Sequence, residues 1–243
     1  MTSVVDLAKL SDGVYTDQPK IGQWLRVGIP FQVKGSGFKS ALYQHMESNE
    51  YVLAIAGTEL SDSDDLKSDV QIAMGNVPNQ HRVARSAYHS VGAVVGDFAS
   101  VYVTGHSLGG GLASMLGKEH GEPCVTFNAP GMARSFAKLE ALEPGVSAVK
   151  DEDRKVLHIR AVFDVVSVGT GRHLGAKGSV KSVYTAPLGK KEVAAGMAAS
   201  MVMGPFGGSA VTSGMVSLKA HGITRLIPVL ERKPDYTKDL AWV

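Results

Sequence analysis

Apolar residues along this chain switch between helical and strand spacing, and the switches predict its elements. Over 2–15, Val5, Ala8 and Leu10 recur at helical spacing among polar positions, which predicts a first helix. Residues 21–33 read as extended and give way to the flexible Gly35-Ser36-Gly37 turn. Residues 41–47 and 51–56, separated by Ser48-Asn49-Glu50, predict a β-hairpin. Its second arm, Tyr51-Val52-Leu53-Ala54-Ile55-Ala56, is apolar on both faces, as befits a strand central to a sheet, and it ends in Gly57-Thr58-Glu59. Residues 61–69 hold four aspartates and read as a loop or a helix start. A long helix is predicted over 78–97, with Val83, Ala84, Ala87, Tyr88, Val91 and Val94 on one stripe.

Residues 100–104 are β-branched and aromatic and predict a strand, after which Leu112, Met115 and Leu116 fall at helical spacing. A strand over 124–128, a helix over 135–142 and a charged surface loop over 144–154 follow. The next strand, 155–162, leads to Asp164, and 179–185 predicts a last strand. Buried strands alternating with amphipathic helices, with no repeat of fixed period, predict the α/β class: a mainly parallel central sheet flanked by helices.

One stretch departs from this alternation. Residues 193–218 form a 26-residue run without charges, long enough to suggest a membrane span. Five glycines and Pro205 interrupt it, and serines and threonines dilute it. An apolar insertion lining or covering a site fits better than a span or an ordinary buried helix. The 243 residues then suit a single domain over 1–243 with a core of ordinary size. The formal charge is +2 and the 25 basic residues are scattered, so no nucleic-acid footprint is present. Cys124 is the one cysteine, which excludes an internal disulfide and reads as a small buried hydrophobe in its strand. Asp6, Lys9 and Asp12 interrupt any apolar leader, so the cytoplasm is the default expectation; export without a cleaved signal, or association with a virion, would leave the same sequence.

The chemistry gathers around Val103-Thr104-Gly105-His106-Ser107-Leu108-Gly109-Gly110-Gly111, which contains Gly-x-Ser-x-Gly. Between a strand and a helix, this pattern describes an elbow that pushes the Ser107 hydroxyl out of the sheet, with glycines where side chains at 105 and 109 would clash. A serine hydroxyl needs an imidazole to take its proton, and the imidazole needs an acid to fix its tautomer. In the chain order of such elbows the acid and the histidine follow the serine. Four histidines do: His120 ends the elbow helix, His158 lies within a strand, and His173 follows Asp164 too closely in one glycine-rich loop. His221, just before a new helix, has the freedom to reach Ser107, with His173 the next choice. Asp164 lies at the C-terminal end of a strand, where α/β sheets place their sites. Asp151, Glu152 and Asp153 lie at the wrong end of that strand. Backbone donors for an oxyanion are expected from the Leu108 amide and from Thr58, after the central strand.

These segments, in their order, resemble the class 3 (fungal-type, triacylglycerol lipase) branch of the α/β-hydrolases. The residues that carry the resemblance are Gly57-Thr58-Glu59, Val103 to Gly110, Thr126-Phe127-Asn128-Ala129-Pro130-Gly131, Val162-Phe163-Asp164-Val165-Val166 and His221-Gly222-Ile223. The resemblance implies an α/β-hydrolase fold, Ser107, Asp164 and His221 as a catalytic set, Thr58 and Leu108 around the oxyanion, and no metal or organic cofactor. It implies a serine carboxylic ester hydrolase acting on lipid-like acyl esters. Where these lipases commonly carry an amphipathic lid, this chain has Leu60-Ser61-Asp62-Ser63-Asp64-Asp65-Leu66-Lys67, mostly acidic and unsuited to an oil surface. That feature and the missing disulfides argue against triglyceride digestion and leave simple esters, or membrane phospholipids through a phospholipase A1 activity, as substrates. Transient contact with a lipid interface is the corresponding partner expectation. A non-catalytic module that binds a membrane or a protein through 193–218 is the rival from another class; the survival of all three chemistries in order argues against it.

Overall fold

The computed structural model describes residues 2–33, 36–57, 77–96, 99–146, 155–162, 164–185 and 220–240. Thr58, the acidic segment over 60–67, the apolar run over 193–218 and most of the predicted 144–154 loop lie outside the described residues.

The first helix, α1 (Val4–Gly13), lies within the predicted 2–15, two residues shorter at each end, and its entry is fixed by a capping box. The Ser3 hydroxyl accepts from the Asp6 amide at 3.1 Å while the Asp6 carboxylate accepts from the Ser3 amide at 3.1 Å. The extended region over 21–33 is two strands, β1 (Lys20–Ile21) and β2 (Trp24–Val33), because Gly22 takes a left-handed conformation at φ +56° between them. The predicted hairpin is β3 (Phe38–His45) and β4 (Glu50–Ile55). Then come α2 (Asn79–Gly92), β5 (Ser100–His106), α3 (Leu108–His120), β6 (Cys124–Phe127), α4 (Ala133–Leu142), β7 (Val156–Ala161), the short α5 (Val165–Gly169), β8 (Val180–Val183), α6 (Ile223–Glu231) and α7 (Pro234–Thr237).

The eight strands among the described residues form one sheet in the order β1 to β8. β1 to β4 pair antiparallel as a meander, and β4 to β8 pair parallel. The α/β-hydrolase expectation therefore holds, with the parallel part confined to the half that carries the site. Side-chain alternation on β4 divides the core in two. Val52 and Ala54 face α1 and α6, together with Val125, Phe127 and Ile159 of neighbouring strands. Leu53 and Ile55 face α2 and α3, together with Val103 and Cys124. One face is thus covered by crossover helices, and the other is closed by the chain's first helix and the helix that follows His221.

The predicted stripe on α2 is right over most of its length and wrong at its end. The helix stops at Gly92, the amides of Val94 and Val95 both return to the Val91 carbonyl, and this turn swings Val94 into solvent, 54% exposed. Its buried face includes His81, which the stripe omits.

The elbow is where packing is tightest. A Cβ on Gly105 would lie 2.6 Å from backbone atoms of Gly109, and one on Gly109 would lie 2.5 Å from the Ala56 carbonyl carbon. These obstacles are backbone, so they cannot move without parting α3 from β4. Gly109→Ala is expected to destabilise the fold by about 3 kcal/mol or more, the upper range for overpacking; a urea midpoint within error of wild type would contradict it.

Candidate active site

Ser107 is the single residue between β5 and α3, at φ +56° and ψ −133°. Few non-glycine residues accept that backbone, which costs on the order of 1–3 kcal/mol. The surroundings hold it there: the Ser107 amide donates to the Phe127 carbonyl at 3.0 Å, and the Gly111 amide donates to the Ser107 carbonyl at 3.1 Å. The result aims the hydroxyl away from β5 and toward the C-terminal ends of the strands, where Asp164 and His221 arrive from distant parts of the chain.

The three side chains meet in one line. Ser107 Oγ stands 2.8 Å from His221 Nε2, and His221 Nδ1 stands 2.9 Å from Asp164 Oδ1. All three residues are buried. Since a carboxylate can only accept, the imidazole proton sits on Nδ1 and Nε2 is left to accept from the serine hydroxyl. Asp164 is also the N-cap of α5, accepting from the Val166 and Ser167 amides at 3.2 Å each. Those donors satisfy the carboxylate oxygens that a buried acid would otherwise leave unpaired.

The Leu108 amide opens α3, among the first helical amides, which have no acceptor within their own helix. Thr58 lies outside the described residues. Its neighbour Gly57 packs beside the elbow: a Cβ there would meet the His106 carbonyl oxygen at 2.9 Å and Ser107 Cβ at 3.1 Å.

The other downstream histidines have separate duties. His158 is buried between the Thr126 hydroxyl, 2.7 Å from its Nδ1, and the Leu174 carbonyl, 2.8 Å from its Nε2. His173 donates through Nε2 to the Ser167 carbonyl at 2.8 Å, on the segment that also caps onto Asp164. His120 is neither free nor fully exposed; its ring stacks on Tyr88 at 4.1 Å. Cys124 is buried, and burial pushes its thiol pKa up, in keeping with an inert core residue.

Sequence reading missed two neighbours of the site. His106 appears in the elbow pattern only as the variable residue before the serine, yet it is buried and in contact with His221. Asn128, in a left-handed conformation at φ +47° just after β6, also reaches the His221 backbone. Both stand inside the motifs that carry the family resemblance, at the ends of adjacent apolar strands, but neither motif gives them a role.

Burial pushes the pKa of His106, and separately that of His158, down to about 3, so both are neutral in the folded protein. Unfolded, they would titrate near 6.5. Between those values the unfolded chain binds more protons than the folded one, so stability is complete above about pH 6.5 and is lost as pH falls toward 3. Each histidine contributes a slope of up to about 1.4 kcal/mol per pH unit. Urea midpoints measured from pH 7.5 to 4 are expected to fall below pH 6.5, and a flat series would show that these rings do not remain neutral when buried.

Among the described residues no helix is long and apolar enough to cross a membrane.

Residues 6–210 match the phospholipase-like family described as the Tle-like phospholipase domain. Among curated relatives, the chain is 38% identical over 119 residues to a protein named extracellular phospholipase A1 from Serratia liquefaciens, covering 49% of this chain and 35% of that protein. It is 26% identical over 225 residues to a protein named putative lipase ATG15 from Kluyveromyces lactis, covering 69% of this chain and 41% of that one. The chain therefore spans well under half the length of these relatives. Among solved structures, it resembles the Lip2 lipase from Yarrowia lipolytica, with a TM-score of 0.49 and 20% identity over 76% of this chain and 78% of that one. It also resembles a triacylglycerol lipase from Penicillium expansum, with a TM-score of 0.48 and 14% identity over 77% and 83% of the two chains.

Proposed function

Since the chain belongs to the Tle-like phospholipase domain family, we propose that it is a serine carboxylic ester hydrolase whose reacting groups are Ser107, His221 and Asp164, acting on acyl esters of lipids. The observation that carries this reading is the unbroken line from Asp164 Oδ1 through His221 to Ser107 Oγ, with contacts of 2.9 and 2.8 Å.

Ser107 Oγ attacks the acyl carbonyl while His221 Nε2 takes its proton, and Asp164 holds and stabilises the imidazolium that results. The carbonyl oxygen becomes an oxyanion, which the Leu108 amide at the start of α3 and the Thr58 amide beyond β4 stabilise. His221 then gives its proton to the departing alcohol, leaving the acyl group on Ser107. Water enters by the same steps in reverse, which frees the fatty acid and restores the serine.

Phospholipid is the favoured ester, with cleavage at the position that defines a phospholipase A1. The family's description and the name of the Serratia relative favour it over neutral oil, and so does the acidic character of residues 60–67. The apolar run over 193–218 is assigned as the surface that receives the acyl chain during transient contact with a lipid interface.

A fluorophosphonate probe tests the chemistry and vesicles test the substrate. Wild type is expected to be labelled and Ser107→Ala is not, and phospholipid vesicles are expected to release fatty acid faster than a triglyceride emulsion does. A folded wild-type protein that takes no probe would sink the hydrolase reading and leave a binding module. Rapid release from triglyceride alone would overturn the phospholipid assignment.

A further inference from the structure

We propose that His106 and Asn128 are positioning residues that set the reach of His221 toward Ser107 by gripping the His221 backbone carbonyl from two sides. This rests on the hydrolase reading above and adds to it the means by which the base is held.

His221 is carried by no strand of the sheet, so ladder pairing does not fix it, unlike the elbow that carries Ser107. What reaches it are two side chains from the ends of adjacent strands. The His221 carbonyl oxygen lies 2.6 Å from His106 Nε2 and 2.7 Å from Asn128 Nδ2. A carbonyl has two lone pairs, and here both receive a side-chain donor. His106 ends β5, so it is the covalent neighbour of Ser107: the residue that precedes the nucleophile holds the backbone of the base.

Each gripping side chain is itself anchored. The Asn128 amide nitrogen also donates to the Ala220 carbonyl at 2.9 Å, and its oxygen accepts from the Ala161 amide at 2.8 Å. Asn128 therefore ties the end of β7, three residues before Asp164, to the segment that carries His221. Its left-handed backbone at φ +47° is one that asparagine accepts more readily than most residues do. For His106, a carbonyl opposite Nε2 requires the proton to be on that nitrogen. Nδ1 is then an acceptor, 3.2 Å from the Tyr15 hydroxyl, which in turn accepts from the Gly57 amide at 2.7 Å. The neutral state that burial imposes on His106 agrees with this arrangement. One connected set of hydrogen bonds thus joins the end of β4, the elbow strand, the acid strand and the base.

The purpose follows from how steeply rate depends on geometry. A reacting group displaced by about 1 Å can cost on the order of 10²-fold in rate, and the His221 ring moves with its backbone. Loss of either donor frees one side of the carbonyl and lets the imidazole drift from Ser107 Oγ without removing any reacting atom.

The test compares variants that keep or remove the donor. His106→Leu removes it, whereas His106→Gln places an amide nitrogen near the position of Nε2. Asn128→Gly removes the second donor and suits the left-handed backbone; it also deletes the bonds to Ala161 and Ala220, a stability cost that the melting temperature reads separately from the rate. The readouts are the rate of fluorophosphonate labelling of Ser107, kcat and KM on a soluble p-nitrophenyl ester, and the melting temperature of each variant. His106→Leu and Asn128→Gly are each expected to lower labelling rate and kcat by about 10- to 100-fold with KM within about threefold of wild type. His106→Gln is expected to recover the rate to within about fivefold of wild type. Folded variants that label at the wild-type rate would overturn the proposal, and so would a loss in His106→Gln as large as that in His106→Leu. Rate losses that only track a smaller folded fraction would assign both residues to stability instead. If wild type itself takes no probe, the hydrolase reading fails and this proposal with it, whereas a labelled wild type with unaffected variants overturns the grip alone.

Discussion

Ser107→Ala is expected to lower turnover of any acyl ester by about 10⁵- to 10⁶-fold, because it removes the atom that would carry the acyl group and leaves only the oxyanion donors and binding to act. Binding to phospholipid vesicles should be nearly unchanged, since the hydroxyl presents little surface to a bulky lipid. The elbow adds a second expectation of opposite sign. Ser107 is held at φ +56°, ψ −133°, a conformation that suits glycine and strains residues with a Cβ. Ser107→Gly and Ser107→Ala both lack the hydroxyl and its bond to His221, so they differ only in the Cβ. Ser107→Gly should be the more stable of the two by about 1 kcal/mol, while both are inactive. Kinetics with a chromogenic ester and urea unfolding check both parts. Retention of more than about one part in a thousand of the wild-type rate by Ser107→Ala would remove serine from the reaction.

The same elbow shows what the sequence could and could not reveal. Gly105 and Gly109 are legible because the backbone crowding they permit leaves no room for any other residue, and a pattern that strict is visible in a single chain. Asp164 could be placed because strand 155–162 is apolar enough to fix its direction, which puts the acid at the correct end of the sheet. His221 followed by elimination among four histidines, and the separate hydrogen-bond duties of His158 and His173 agree with that choice. The split of the sheet into an antiparallel and a parallel half was less visible, because β4, where the pairing changes from antiparallel with β3 to parallel with β5, is apolar and buried over most of its length. Val94 was misplaced because a 3.6-residue stripe contains no information on where a helix stops, and α2 ends at Gly92 without a capping side chain. The roles of His106 and Asn128 were invisible for a deeper reason. Their partner is a backbone carbonyl about a hundred residues away, and a carbonyl has no sequence identity to match.

Asp164→Asn is expected to reduce kcat by about 10⁴-fold with little change in KM, and the reason lies in the donors around the carboxylate. Asp164 accepts from three N–H groups: His221 Nδ1, the Val166 amide and the Ser167 amide. Asparagine offers one accepting oxygen and one donating nitrogen in place of two accepting oxygens. The two backbone amides at the start of α5 cannot change their proton, whereas an imidazole can shift its own from one nitrogen to the other. Oδ1 receives both His221 Nδ1 and the Val166 amide while Oδ2 receives the Ser167 amide, so the asparagine nitrogen meets one fixed N–H in either orientation. The orientation that turns it toward His221 keeps the Ser167 bond and lets it donate to the imidazole. His221 Nδ1 must then accept, so its proton moves to Nε2 and faces Ser107 Oγ. A protonated Nε2 cannot take the serine proton, and the base is lost although every heavy atom keeps its place. Asp164→Ala removes both cap bonds where Asp164→Asn keeps the one to the Ser167 amide, so it should be the less stable of the two by about 1 kcal/mol. Comparing kcat and urea midpoints of the two variants separates the functions of the side chain. If Asp164→Asn hydrolysed ester within tenfold of wild type, the carboxylate would be acting only as a cap for α5 and not on the tautomer of His221.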